Sequence, residues 1–307
     1  MADRTNLHKH AAGLRPKLAC EIRAEGVIAA RGSSHRHGGE TVMAFAPLAG
    51  GALAPGLKVP NVADRGAVTA ALESALGEVN AKTRDLTLVI PDAAARVLLL
   101  DFDTLPAKRS DAMPVVRFRL RKMVPFDVES AAVSYQVMGE QAGQLSVLVT
   151  VMPGEVLAEY EGLVRNAGYT PGVVLPSTLA VAAAIESSDS ALMVNHGGSS
   201  VTTAVTQGNE MLLHRLMELP AEERARDQEM AQAVITALAW YEDTLRRIPE
   251  TLYYTGPGGA TAARTAAWAA LVEPVPRIED FAVSEGSSSL TSIPAGLTAG
   301  VTGALAG

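Results

Sequence analysis

Glycine and serine gather at two places in the chain where backbone could cradle a phosphate. Residues 193–205, "MVNHGGSSVTTAV", set Gly197, Gly198, Ser199 and Ser200 between two apolar runs. The N–H groups of such a turn face an anion, and glycine lets a phosphate approach closely. The same two glycines also serve a plain hairpin turn. Residues 255–260, "TGPGGA", place Gly256, Gly258 and Gly259 between a strand-like run and a helical one. A strand-to-helix turn of this kind holds phosphate or adenosine, or is only a tight connection.

Other chemistry has weaker support. His35 and His37 flank Arg36 without an acidic or cysteine partner nearby, and His8 and His10 sit in a polar N-terminal stretch, so no metal site is expected. His196 lies in the glycine turn, where a ring hydrogen bond is the expected role. The single cysteine, Cys20, falls in an apolar run and excludes both a disulfide framework and a thiolate metal centre. No Gly-x-Ser-x-Gly elbow occurs. Lys108, Arg109, Arg117, Arg119, Arg121 and Lys122 form a basic cluster. It reads as a solvated helix face, or as a surface for an acidic peptide, another protein or anionic headgroups. No aromatic stacking platform is interleaved with these charges, and the net charge of −7 points away from nucleic acid.

The elements that must position these groups follow from periodicity. A chain of 307 residues has room for two domains. Its N-terminus lacks the apolar core of a signal peptide, and no run approaches the ~18 apolar residues of a membrane span, so a cytoplasmic location is expected. Residues 1–16 read as a flexible arm. Strands are expected over 18–22, 26–31 and 41–46, a helix over 65–80, and strands at "DLTLVIPD" and "RVLLLDFDTLP". Met113, Val116, Leu120 and Val124 mark a helix stopped by Pro125, and two alternating strands follow as a hairpin, giving a small α+β insert over about 107–152. A helix opened by Pro153 and stopped at Gly168, the strand "GVVLP" and a helix capped by Ser177 complete a first half over 17–189. The second half, 190–283, shows three strands, a long amphipathic helix with Met230, Val234, Ala237, Leu238, Tyr241, Leu245 and Ile248 on one stripe, a strand, and one helix over "GGATAARTAAWAALV". A Ser/Gly/Ala-rich tail, 284–307, is expected to be extended.

The order βββαβα thus occurs twice, a duplication of topology. It resembles the α/β actin-like (ribonuclease H-like) ATPase superfamily. "LTLVIPDAAARVLLLDFDTLP", "MVPFDVESAAVSYQVM" with Pro125, Phe126 and Tyr135, "LMVNHGGSSVTTAVTQGNEMLLHRLM" with Gly208 and Arg215, and "ALAWYEDTLRRIPETLYYTGPGGATAA" are similar, in that order, to segments of PilM-type proteins of type IV pilus assembly. The likeness spans about residues 17–281. The cytoplasmic domain of the type II secretion protein GspL is a cousin of that family.

The resemblance implies a cytoplasmic protein held at the inner membrane only through a partner, the N-terminal peptide of a PilN-like protein. It implies a peptide groove in the first half and its insert, for which Phe126, Val128, Tyr135, Val137, Arg117 and Arg121 are the candidate residues. It also implies a cleft for Mg·ATP between the halves, with Asn195, Gly197, Gly198, Ser199, Ser200, Gly256, Gly258 and Gly259 as candidates. Here the sequence departs from the pattern. The first hairpin reads "EIRAEGVIAA", so Arg23 replaces a phosphate-facing glycine and Glu25 adds like charge. Asn195 stands where a metal-associated aspartate is expected, and its amide brings no charge to Mg²⁺. Only "ELPAEERARDQ" separates the second hairpin from the long helix, too short for the subdomain that closes the family's cleft. The expectation is a non-catalytic scaffold with a degenerate ATP site, no metal and no required cofactor. The alternatives are an active Mg·ATP switch of the same fold, or a GspL-like component of type II secretion.

Overall fold

The computed structural model describes residues 15–32, 41–141, 143–185, 190–273, 276–281 and 287–306. Residues 1–14 of the arm expected over 1–16 and the histidine-bearing loop with His35 and His37 lie outside the described residues.

The first half opens with the antiparallel meander β1 Leu18–Arg23, β2 Gly26–Arg31 and β3 Thr41–Pro47, with Cys20 opposite Ala29 and Ala29 opposite Ala44. Helix α1, Arg65–Val79, starts where the Asp64 carboxylate accepts from Ala67 N and ends at Asn80 in the left-handed region. Strand β4, Asp85–Ile90, returns parallel to β1. After β5 Arg96–Phe102, α2 Arg109–Leu120, β6 Ala132–Gln141 and β7 Gln144–Met152 come α3 Gly154–Asn166, β8 Thr170–Pro176 and α4 Ser177–Ala183. The second half repeats the plan with β9 Ser190–His196, β10 Ser200–Gln207, β11 Glu210–Glu218, α5 Glu223–Leu245, β12 Thr251–Thr255, α6 Gly259–Thr265 and β13 Arg277–Asp280. The chain then adds β14 Ser287–Ser289 and α7 Ala299–Ala306.

The two large sheets have equivalent strand orders, β3-β2-β1-β4-β8 with β14 added beside β3, and β11-β10-β9-β12-β13. Every residue of β1 is buried, as a strand covered on both faces requires. One face packs α1 and α3 through Leu72, Leu76, Tyr160 and Leu163, the other α4 and α7 through Ala180, Val301 and Ala304. On the second sheet, α5, α6 and Trp268 cover one face. Val181 of α4, Met193, Ala204 and Ala299 fill the seam between the halves.

Four expectations need correction. The insert begins before residue 107, because β5 pairs with β7 in the separate sheet β5-β7-β6. Helix α2 ends at Leu120, whose carbonyl accepts from both Met123 N and Val124 N, so the last turn tightens before Pro125 is reached. The helix over "GGATAARTAAWAALV" breaks at extended Ala266 into α6 and a short 3₁₀ turn, Ala267–Leu271, which drops Trp268 beside Tyr254 in the core. The tail is folded rather than extended. Its glycines lower helix propensity, but they let α7 lie directly on α4, where a Cβ on Gly303 would sit 1.8 Å from the Ala180 carbonyl oxygen.

Candidate functional site

Strands β1 and β9 run parallel to β4 and β12 respectively, and each ends in a turn at the seam between the halves. The first turn is Arg23–Ala24–Glu25–Gly26, the second Gly197–Gly198–Ser199. They meet directly. Gly198 has φ +71°, and a Cβ on it would lie 2.8 Å from the Ala24 Cβ. Arg23 reaches across and donates from Nη2 to the His196 carbonyl at 2.8 Å. The second turn closes on itself through Gly197 N to Ser200 O at 2.8 Å.

Beneath this contact lies a buried polar network. Arg23 Nη1 donates to Glu21 Oε1 at 2.9 Å, and Nε reaches Glu25 Oε2 at 3.4 Å. Ser177 Oγ donates to Glu21 Oε1 at 2.7 Å. Ser177 is the first residue of α4 and makes no cap to its own helix, contrary to the sequence expectation, because its hydroxyl is turned to this carboxylate. Burial pushes the Glu21 carboxyl above the usual carboxylate range, with Arg23 and Ser177 offsetting part of that. Glu21 Oε2 has no hydrogen-bond partner among the described residues, and Gly300 of α7 lies over it: a Cβ there would stand 2.2 Å away.

A second carboxylate, Asp92, follows Pro91 at the end of β4. It accepts from Thr178 N at 2.9 Å, from Thr178 Oγ1, from Thr202 Oγ1 at 2.9 Å and from Asn195 Nδ2 at 3.1 Å. Asn195 Nδ2 also lies within 3.0 Å of Ser177 Oγ and 2.9 Å of Thr178 Oγ1. Asn195 therefore binds the other half of the molecule, and its Oδ1 is buried without a partner among the described residues. Sequence reasoning missed Asp92, Thr178 and Thr202. The readable signal for Asp92 was a charged residue directly after the buried strand and its proline, "LTLVIPD".

The glycine-rich turn at β12 is occupied in the same way. Gly258 and Gly259 have φ +77° and +59°, and the first free amide of α6, Ala260 N, donates to Asp280 Oδ1 at 2.8 Å. That carboxylate holds the helix end that would otherwise attract an anion. The chain from 290 to 298 crosses above: Gly296 O accepts from Gly256 N at 2.9 Å and from Thr255 Oγ1 at 2.8 Å. The space left beside Tyr254, Asp280 and Gly296 is about 280 Å³. His196 Nδ1 bonds Tyr254 Oη at 3.0 Å, the hydrogen-bonding role expected of it. Burial lowers the imidazole pKa and raises the Tyr254 phenol to about 12.

The eight candidate nucleotide residues thus come together at the seam, although Ser199 and Ser200 turn to backbone roles: Leu219 N donates to Ser199 O at 2.8 Å. From β11 to α5 the chain spans only 219–222, so no subdomain stands there. The six peptide candidates gather in the three-stranded unit. Val128 is 2% exposed in its core, with Phe126, Tyr135 and Val137 half-buried around it. Arg117 donates to the Val128 carbonyl and, at 3.1 Å, to the Ala131 carbonyl, while Arg121 pairs with Glu129 at 2.6 Å. Arg117, Arg121, Glu129, Ser110, Met113 and Pro114 line a groove of about 410 Å³.

Two five-stranded units of one order, each carrying its turn between the first two strands of an antiparallel meander and meeting turn to turn, decide the architecture. The fold is actin-like. No protein-family model matches the chain, and no curated protein matches it in sequence. Among solved structures it is similar to the PilM–PilN type IV pilus biogenesis complex, with 19% identity, a TM-score of 0.69, and coverage of 95% of this chain and 98% of that one. It is also similar to the cytoplasmic domain of EpsL, an inner-membrane component of the type II secretion system of Vibrio cholerae, at 14% identity, 93% and 92% coverage and a TM-score of 0.48. Among the described residues no helix is long and apolar enough to cross a membrane.

Proposed function

We propose that this chain is a binding scaffold of a type IV pilus or related secretion machine, working at the cytoplasmic side of the inner membrane and without ATP hydrolysis. The observation that carries the reading is the likeness to the PilM–PilN complex, which extends over 95% of this chain and so takes in the three-stranded unit. In this reading the chain receives the cytoplasmic N-terminal segment of a PilN-like protein. Strand β6 pairs only with β7 among the described residues, so its outer edge offers backbone groups to an extended segment. Phe126, Tyr135 and Val137 offer half-buried side chains nearby, Val128 supports them from the core, and the Arg117–Arg121 groove supplies charge.

The cleft chemistry supports the absence of catalysis. Asp280 and Gly296 O already accept from Ala260 N, Gly256 N and Thr255 Oγ1, donors that would face phosphate, and Arg23 spans the gap between the two turns. The space of about 280 Å³ beside Tyr254, Asp280 and Gly296 lies at the small end of the ~300–1,000 Å³ usual for ligand pockets. Calorimetry of the full chain with the N-terminal peptide of the neighbouring PilN-like protein is expected to show one-to-one binding, and a flat titration overturns the partner. Mg·ATP at 100 times its Kd stabilises a binder by ~2.7 kcal/mol. A melting curve unmoved at millimolar Mg·ATP is expected, and a rise of several degrees returns the nucleotide switch.

A further inference from the structure

Helix α2 buries Ala112, Val116 and Leu120 and turns a different face outward. On that face Phe118 is 71% exposed and Val115 39%, with Met123 45% exposed just beyond the helix end. Residues 108–122 carry six cations against Asp111 alone, in a chain whose net charge is −7. Arg121 pairs with Glu129, Arg109 lies 5.1 Å over the Tyr135 ring, and Arg117 is held by backbone carbonyls. Lys108, Arg119 and Lys122 are exposed and have no charged partner among the described residues. The result is an outward aromatic side chain with Arg121 5.9 Å over its ring, two apolar neighbours and three cations without a charged partner on one exposed ridge.

We propose that this ridge docks the protein directly on an anionic lipid surface, with Phe118 entering the headgroup boundary and Arg119 and Lys122 facing lipid phosphates. Three observations favour lipid as the occupant. The patch inverts the sign of the whole chain, so an anionic plane attracts this face and repels the rest, which orients the molecule. A projecting ring flanked by cations matches a deformable interface, where the ring is buried and the charges stay at headgroup level. Phe118, Arg119 and Lys122 do not line the neighbouring groove and are exposed outside it. The contact goes beyond attachment through a partner alone and rests on none of the peptide-binding residues.

The test is co-sedimentation of the full chain, without partner, with phosphatidylcholine vesicles containing or lacking phosphatidylglycerol. Binding is expected only with phosphatidylglycerol and is expected to weaken as salt rises. Each of Arg119→Gln and Lys122→Gln is expected to lower the partition coefficient about fivefold, from the ~1 kcal/mol a surface cation contributes. Phe118→Ser is expected to lower it about tenfold or more, from the ~1.5–3 kcal/mol of burying its ring. All three side chains are exposed, so unchanged far-UV circular dichroism is expected to accompany each loss. Equal binding to both vesicle types, binding unmoved by the three substitutions, or no binding overturns the proposal. Capture by soluble polyglutamate in place of vesicles overturns it in favour of an acidic protein. Peptide calorimetry on the same variants is expected to be unchanged, which separates this surface from the proposed partner site.

Discussion

Residues 21–26 and residues 195–200 stand at equivalent corners of two sheets with the same strand order, yet they fill their corners with opposite chemistry. The first turn brings charge: Glu21 is 0% exposed, Arg23 4%, and Arg23 spans the seam to the His196 carbonyl. The second brings glycine and neutral polar groups, with Gly198 against Ala24 and Asn195 donating into the first half. Crowding at the seam is therefore asymmetric. One side supplies a long cation, and the other supplies the small backbone that makes room for it. The two turns are held together from one side, by Arg23 on the His196 carbonyl.

The largest break of this asymmetry is Arg23→Ala. It removes the cation from a carboxylate that has only Ser177 left as a partner, and uncompensated buried charge costs ~3–5 kcal/mol. Asn195→Ala on the other side is expected to cost about 1–3 kcal/mol, since Asp92 keeps Thr178 and Thr202. Urea unfolding of both variants checks the order, and equal losses would contradict it. The double substitution Glu21→Gln with Arg23→Met is expected to recover most of the first loss, because it removes both charges together.

A finer comparison lies within the second half. Gly198→Ala introduces a Cβ 2.8 Å from the Ala24 Cβ at φ +71°, whereas Gly208→Ala meets nothing within 4 Å at φ +55°. Both carry the left-handed strain of about 1 kcal/mol. Only the first also has to part the two turns, so an additional loss of about 1–2 kcal/mol is expected from overpacking. Chemical denaturation of the pair measures the inter-turn contact as the difference. Identical losses would mean that the turns part freely.

The repeated strand order was legible because buried runs such as 18–22 and 86–90 are continuous and apolar, and because Pro and Gly mark their ends. Arg23 and Asn195 were legible as departures. What they do instead was not, since their partners His196, Thr178 and Asp92 come from elsewhere in the chain. The tail was misread for a related reason. Gly300 and Gly303 weaken a helix taken alone, and only contact with Glu21 and Ala180 shows why they are small. Strand β13 was missed because "RIED" is short and charged, and only its parallel partner β12 makes it a strand.

The smallest expected effect is a titration that pulls the two turns in opposite directions. Burial holds His196 neutral in the folded state, below its ordinary 6.5. The unfolded chain then binds more protons, so this group's contribution is present above pH ~6.5 and is lost as pH falls below it. Glu21 is raised by burial above its ordinary 4.5, so its folded state holds the extra proton. Its contribution is present below pH ~4.5 and declines as pH rises through the folded value. Between the ordinary values of 6.5 and 4.5 the two slopes oppose each other, and His196→Gln removes only the first. Guanidinium unfolding across that window is expected to show the wild type losing stability relative to His196→Gln as pH falls, by at most ~1.4 kcal/mol for each unit by which the imidazole pKa is lowered. Parallel curves would mean that His196 is as free to protonate in the folded chain as in the unfolded one, and that the second turn is open to solvent.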